Sequence, residues 1–208
     1  MKEEKREPLI ILAGPTAVGK TALSLELART VNGEIISADS MQVYRHMDIG
    51  SAKILPEETE GISHHLIDVL EPWEEFNVTV FQKMAKAAIR EIRGRNHIPI
   101  LVGGTGFYIQ AVLYDIDFTE NPQDNSIRNA LEKTWEEKGG SYLHQMLKQV
   151  DSQAAEQIHE HNKKRMIRAL EFYMQTGEKI SEHNERERGR EAAYNACYFV
   201  LNDDRNMI

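Results

Sequence analysis

Apolar positions divide the chain into two halves with different rhythms. In the first, short apolar runs alternate with segments whose apolar residues recur every three or four positions, the pattern of parallel strands joined by helices on a sheet. The run LIILA (residues 9–13) reads as a first strand, and TALSLELART after it as a helix with Leu23, Leu27 and Val31 on one face. EIISAD is a second strand ending at Asp39. After a polar, irregular stretch, FNVTVFQKMAKAAIREIRGR places Phe81, Met84, Ala85, Ala88, Ile89 and Ile92 at the helical period, with Gly94 and Asn96 closing the helix. IPILVGG is then almost continuously apolar, as a parallel strand buried on both faces should be.

From about residue 118 the strands give way to short helices. SIRNALEKTWEEK ends at Gly139-Gly140, SYLHQMLKQV ends at Asp151-Ser152, DSQAAEQIHE follows, and NKKRMIRALEFYMQT is closed by Gly177. EHNERERGRE has no apolar period and reads as a solvated loop or a fraying helix end. YNACYFVL returns as a strand. The expected organisation is a catalytic core over residues 1–117, a helical insertion over 118–192 and a return to the core over 193–208. No helix follows the last strand before Ile208, so the natural protein is expected to continue.

Between the first strand and its helix stands GPTAVGKT, in which Gly14, Gly19, Lys20 and Thr21 match the spacing G-x-x-x-x-G-K-[ST]. Strand, glycine turn and helix come in the order a phosphate cradle needs. Backbone amides and the helix amino terminus hold the phosphates, Lys20 adds charge, and Thr21 can bind Mg²⁺. The fold class is therefore α/β, a P-loop NTPase-like parallel sheet flanked by helices, carrying a helical insertion domain. In such sheets ligands bind at the carboxyl ends of the strands. Asp39 with Ser40, Met41 and Gln42 should thus face Gly103, Gly104, Thr105 and Gly106 across one cleft. Asp39 has two readings, a catalytic carboxylate or a cap on the next turn. Thr105 supplies the only side-chain donor among three glycines.

An ATPase would end an apolar strand in a metal-binding acid. Here the third strand ends in GGTG, and the nearest substitute is Asp68 in HHLIDVLEP, where His64 and His65 read as loop polarity. An acid and a hydroxyl opposite a diphosphate suggest a reaction in which diphosphate leaves and a nucleophile loses a proton.

Composition narrows the setting. The 208 residues carry 41% hydrophobic and 28% charged side chains, and no apolar stretch approaches the roughly 20 residues that span a bilayer. The charged start MKEEKREP lacks a secretory segment, so a cytoplasmic protein with no membrane partner is expected. The single cysteine, Cys197, sits among apolar neighbours and reads as a buried, inert thiol. A net charge of −8 argues against a basic coat, yet Lys163, Lys164, Arg165 and Arg168 cluster within about two helical turns. Without further information that run is an ordinary amphipathic helix, with Met166, Ile167 and Leu170 inward and its cations solvated.

GPTAVGKT, EIISADSMQVYR, MDIGSAK, HHLIDVLEP, LVGGTGFYI and NKKRMIRALE together resemble the tRNA dimethylallyltransferases (tRNA isopentenyltransferases) of bacterial type, from about residue 9 to 205. The resemblance implies transfer of a dimethylallyl group from dimethylallyl diphosphate to the exocyclic amine of the adenosine 3′ to the tRNA anticodon. It implies Asp39 as general base and Thr105 as a second catalytic residue. Gly14, Pro15, Thr16, Ala17, Val18, Gly19, Lys20, Thr21 and Arg205 would hold the diphosphate, with Mg²⁺ on Thr21. Asp39, Ser40, Met41, Gln42 and Thr105 would contact tRNA beside the pocket, and Lys163, Lys164, Arg165, Met166 and Ile167, with Arg128, would do so on the insertion. A monomer acting on the anticodon stem-loop is the expected state. The alternatives are a P-loop nucleoside or nucleotide kinase, and an RNA-binding module switched by nucleotide.

Overall fold

A computed structural model describes residues 6–118 and 125–203. The chain divides into two compact units, one of Met1–Ile116 with Glu191–Ile208 and the other of Asp117–Arg190.

The first unit is built on a five-stranded sheet. β1 (Pro8–Ala13) leads into α1 (Lys20–Val31), β2 (Gly33–Ser37), the two-residue β3 (His64–His65), α2 (Val78–Gly94), β4 (Ile98–Gly103), α3 (Gly106–Leu113) and, after the second unit, β5 (Asn195–Val200). The strand order is β3-β2-β4-β1-β5 and every pairing is parallel. All five carboxyl ends therefore lie along one edge. Leu9, Ile11, Ile36 and Leu101 on one face meet the Phe81, Ala85, Ile89 and Ile92 stripe of α2 in the main core, as the helical period predicts.

Three features of the first unit differ from the sequence expectations. On α1 the buried positions are Ser24, Leu25 and Ala28, while Leu23 is 41% exposed. The small side chains of Ser24 and Ala28 let the helix approach the sheet, which moves the contact stripe away from Leu23. His64 and His65 are strand residues, paired with Ile35 and Ile36. Cys197 is exposed, because β5 is an edge strand with Tyr198, Phe199 and Val200 also uncovered among the described residues.

On β2, Glu34 is only 4% exposed. Its carboxylate accepts hydrogen bonds from Arg95 at 3.0 and 2.8 Å, from His65 Nε2 at 2.7 Å and from His97 Nδ1 at 2.6 Å. The Arg95 guanidinium, helped by the two imidazoles against the cost of burial, holds the carboxyl down at about 2.

The second unit is all helical: α4 (Ser126–Lys138), α5 (Gly140–Val150), α6 (Ser152–Gln157), α7 (Lys163–Thr176) and α8 (Ile180–Arg188). Leu131, Leu143, Leu147, Met166, Ile167 and Leu170 form its core. The charged run expected as loop or frayed end is helical as α8, although it lacks an apolar period. Polar contacts replace that period. Asp151 accepts from both the Ser181 amide, at 2.9 Å, and its hydroxyl, at 2.7 Å, and Arg186 pairs with Glu178. No helix among the described residues is long and apolar enough to cross a membrane.

Gly103 marks the tightest approach in the sheet, since a Cβ there would lie 2.3 Å from the Ala38 carbonyl oxygen. Gly103→Ala should therefore destabilise the first unit at the upper end of the roughly 1–3 kcal/mol that overpacking costs, measured by urea unfolding. Glu34 supplies a pH signature. Its folded pKa is depressed, so its contribution is complete above the unfolded value of 4.5 and is lost as pH falls toward about 2. Because Arg95 is 47% exposed in its side chain and partly screened, the effect should be on the order of 2 kcal/mol. Glu34→Gln should lower stability by about that amount at pH 7, and much less near pH 2.

Candidate active site

Three loops meet at the carboxyl edge of the sheet. The Gly14 amide donates to the Gly103 carbonyl at 3.3 Å, and the Ala38 amide donates to the Val102 carbonyl at 2.7 Å. Gly104 lies close enough to the first loop that a Cβ there would be 3.1 Å from the Gly14 carbonyl. The phosphate loop, the Asp39 turn and the GGTG segment are thereby brought together within the first unit.

The phosphate loop turns into α1 at Gly19, whose φ of 86° is the left-handed conformation that glycine adopts without steric cost. Pro15, Thr16 and Ala17 are exposed, and Gly14, Val18 and Lys20 half-buried. The Lys20 ammonium donates to the Pro15 carbonyl of its own loop. Burial lowers its pKa and the negative charge of Asp39 partly opposes that, so the two side chains sense one another across the cleft. The Thr21 hydroxyl is exposed and hydrogen-bonded to no described residue.

Both readings of Asp39 have a physical basis. Its Oδ1 accepts from the Met41 amide at 2.8 Å and the Gln42 amide at 3.3 Å, which caps the turn. Both bonds use the same oxygen, and Oδ2 has no hydrogen-bond partner among the described residues. One carboxylate can thus be oriented by the backbone through one oxygen while the other accepts a proton. Ser40 and Met41 are exposed at this turn. Gln42 is internal bracing: its Oε1 accepts from Ser37 Oγ at 2.9 Å, and its Nε2 donates to the carbonyls of Ser51 and Ala52 at 3.3 and 3.0 Å. Thr105 sits at the amino end of α3, half-buried, with no capping hydrogen bond from its side chain.

Asp68, the candidate metal acid, is engaged elsewhere. Its Oδ1 takes a 2.6 Å hydrogen bond from Lys53, which also binds Asp48 at 2.7 Å and the Tyr44 carbonyl at 2.8 Å. The Lys53 side chain is 3% exposed. Burial opposes its charge, and the two carboxylates more than offset that, holding its pKa above the usual lysine value. This lysine ties residues 44–68 into a brace behind the Asp39 turn. Sequence reasoning missed it, although Asp48 and Lys53 stand five apart in MDIGSAK.

Tyr108 was also missed. It lies in the first turn of α3, stacks on Phe81 with ring centroids 4.6 Å apart, and meets Phe76 edge-on at 5.8 Å. Burial raises its pKa, and the neighbouring Tyr44 and the negative charge of Asp39 raise it further. Tyr44, Phe76, Phe81 and Tyr108 thus form one aromatic cluster, in which Tyr108 senses the Asp39 charge.

The second unit holds the other predicted contacts. Lys164 and Arg165 are exposed at the start of α7, and Lys163 lies 3.7 Å from Glu136. Met166 and Ile167 are 0% and 2% exposed, so their side chains belong to the core of the second unit. The Arg128 guanidinium is committed to Glu171 at 3.1 and 2.7 Å, which locks α4 to α7 rather than presenting an unengaged cation. Arg205 lies outside the described residues.

Comparison with known proteins places these features in a family. Residues 42–208 match the model described as IPP transferase, and residues 8–71 match isopentenyl transferase. A tRNA dimethylallyltransferase of Lachnoclostridium phytofermentans is 61% identical over 202 residues, covering 97% of this chain and 64% of that relative. One of Carboxydothermus hydrogenoformans is 52% identical, covering 97% of this chain and 65% of that relative. The chain thus spans a little under two thirds of the length of these curated relatives. Among solved structures, a eukaryotic dimethylallyltransferase acting on tRNA superposes with a TM-score of 0.82 at 33% identity, over 94% of this chain and 48% of that one. The tRNA isopentenylpyrophosphate transferase of Staphylococcus epidermidis gives 0.58 at 42% identity, over 94% and 63%. With a family model matched over residues 42–208 and relatives 61% and 52% identical across nearly all of its length, the chain belongs to the IPP transferase family.

Proposed function

We propose that the protein transfers a dimethylallyl group from dimethylallyl diphosphate to the exocyclic amine of the adenosine on the 3′ side of a tRNA anticodon. The observation that carries this reading is the Asp39 carboxylate, capped through one oxygen and facing the phosphate loop across the cleft. In the reaction the C1–O bond to diphosphate breaks, the adenine nitrogen bonds to C1, and the nitrogen's proton passes to Asp39. An adenine amine is a weak nucleophile because its lone pair is delocalised into the ring, so a positioned base accelerates attack by roughly 10²–10⁴.

The leaving diphosphate gains charge as the bond breaks. The loop amides, the amino end of α1 and Lys20 are placed to stabilise that charge. The unengaged Thr21 hydroxyl suits Mg²⁺, which keeps most of its waters and takes few protein ligands beside substrate phosphates. Bound there, the ion would neutralise charge on the departing group. Thr105 would hydrogen-bond the adenine or the reacting phosphate edge, and the aromatic cluster of Tyr44, Phe76 and Tyr108 gives the prenyl chain a dry surface. A target base in a single-stranded loop is cheap to extrude into such a pocket. The exposed Ser40 and Met41 stand where that base would enter, and Lys163, Lys164 and Arg165 would hold the RNA backbone from the helical unit. The reading makes the protein a cytoplasmic monomer. A kinase reading is weaker, since β4 ends without an acid and Asp68 is bound to Lys53.

Incubation of an anticodon stem-loop with dimethylallyl diphosphate and Mg²⁺ should add one dimethylallyl group at the target adenosine, detected by mass spectrometry. Asp39→Asn should reduce turnover by roughly 10²–10⁴ with stem-loop affinity little changed. Full turnover in that variant would remove the base role, and an unmodified stem-loop with the parent protein would overturn the reaction.

A further inference from the structure

A second cavity, of about 390 Å³, lies wholly within the helical unit, between α6, α7 and α8. It falls in the range of small-molecule sites, roughly 300–1,000 Å³. Four cations line it: Lys164, Arg165 and Arg168 from α7 and Arg188 from α8, against one carboxylate, Glu185. Arg168 reaches Glu171 at 3.6 Å, whereas Lys164, Arg165 and Arg188 form no ion pair among the described residues. In a chain of net charge −8, this is a concentration of uncompensated positive charge. A solvated helix face would account for the charges alone, but these surround a hollow with an apolar floor. Ala154 and Ile158 are buried there and Ile180 is half-buried. Gln153, Gln157 and Asn184 add exposed amides, hydrogen-bonded to no described residue.

Cations at the rim, an apolar floor and amides between them match the three parts of a nucleotide: phosphate, base face and polar base edge. We infer that this cavity is a second nucleotide-binding pocket, which takes one unpaired nucleotide of the RNA strand apart from the adenosine that reacts. The inference rests on the proposed reading that the substrate is RNA. Arg188 and Arg168 hold the phosphate, the base lies on Ile158 and Ile180, and the amides of Gln157 and Asn184 meet its edge. Stacking on apolar surface and edge hydrogen bonds are how single-stranded RNA is read.

The test measures binding of a fluorescent anticodon stem-loop to the full chain across a salt series, with prenyl transfer to the same RNA assayed in parallel. Arg188→Ala should weaken binding roughly tenfold and reduce the salt slope by about 0.7–0.9, and Arg188→Lys should restore the slope. Gln157→Ala should weaken binding with the slope unchanged, because no charge is lost. Unchanged affinity and slope in Arg188→Ala, with transfer intact, would overturn the pocket and leave the proposed reaction standing. An altered slope in Arg188→Ala, with no prenyl transfer by the parent protein, would support the pocket and overturn the reaction. Free AMP is the second arm: saturation at micromolar concentration, lost in Arg188→Ala while RNA binding is unaffected, would make the occupant a free nucleotide and overturn the RNA assignment.

Discussion

Backbone hydrogen bonding at the carboxyl edge of the sheet is the constraint on which the site depends. Gly14 to Gly103, Ala38 to Val102 and Leu201 to Ala13 continue the parallel ladders past the ends of the strands. They draw three loops to within contact of one another, which works only because Gly103 has no side chain where the Ala38 carbonyl passes. The phosphate loop, the Asp39 turn and Thr105 are thus positioned by main-chain geometry, before any side chain acts. Sites held in this way are stiff, and electrostatic stabilisation of a transition state needs that stiffness.

Among the described residues near the sheet edge, charge is distributed so that the Asp39 carboxylate remains available. Asp48 and Asp68 are both bound to buried Lys53, and Glu34 is surrounded by Arg95, His65 and His97. Asp39 keeps an oxygen that no described residue engages. A buried lysine between two carboxylates costs desolvation energy, and here it also holds the 44–68 segment against the back of the Asp39 turn. The same carboxylate can therefore be a cap and a base, since capping uses one oxygen and proton transfer the other.

The sequence was most legible where spacing carries the information. The phosphate loop, the apolar strands and the strong period of α2 could be read directly, and with them the edge of the sheet where a ligand should sit. What escaped depends on contacts across the chain. β3 has two residues, too few for a period, and exists because Glu34 and the β2 backbone receive it. α8 has almost no apolar stripe and is held by Asp151 and ion pairs. Lys53 gives no local signal, because its carboxylates are five and fifteen residues away. On α7 the helical period alone placed Met166 and Ile167 inward, and that simpler reading is the one the core adopts. Family resemblance supplied a chemistry the residues alone left open, and on this helix the exposed side chains beside that core pair are Lys164 and Arg165.

What separates the proposed prenyl transfer from every ATP-based reading is the fate of the diphosphate that Lys20 and Thr21 would hold. Phosphorus-31 NMR of the chain with dimethylallyl diphosphate, Mg²⁺ and an anticodon stem-loop follows it directly. The expected result is one inorganic diphosphate released per prenyl group on the RNA, none without the RNA, and no change in ATP supplied in its place. Release of inorganic phosphate from ATP, with dimethylallyl diphosphate left intact, would contradict it.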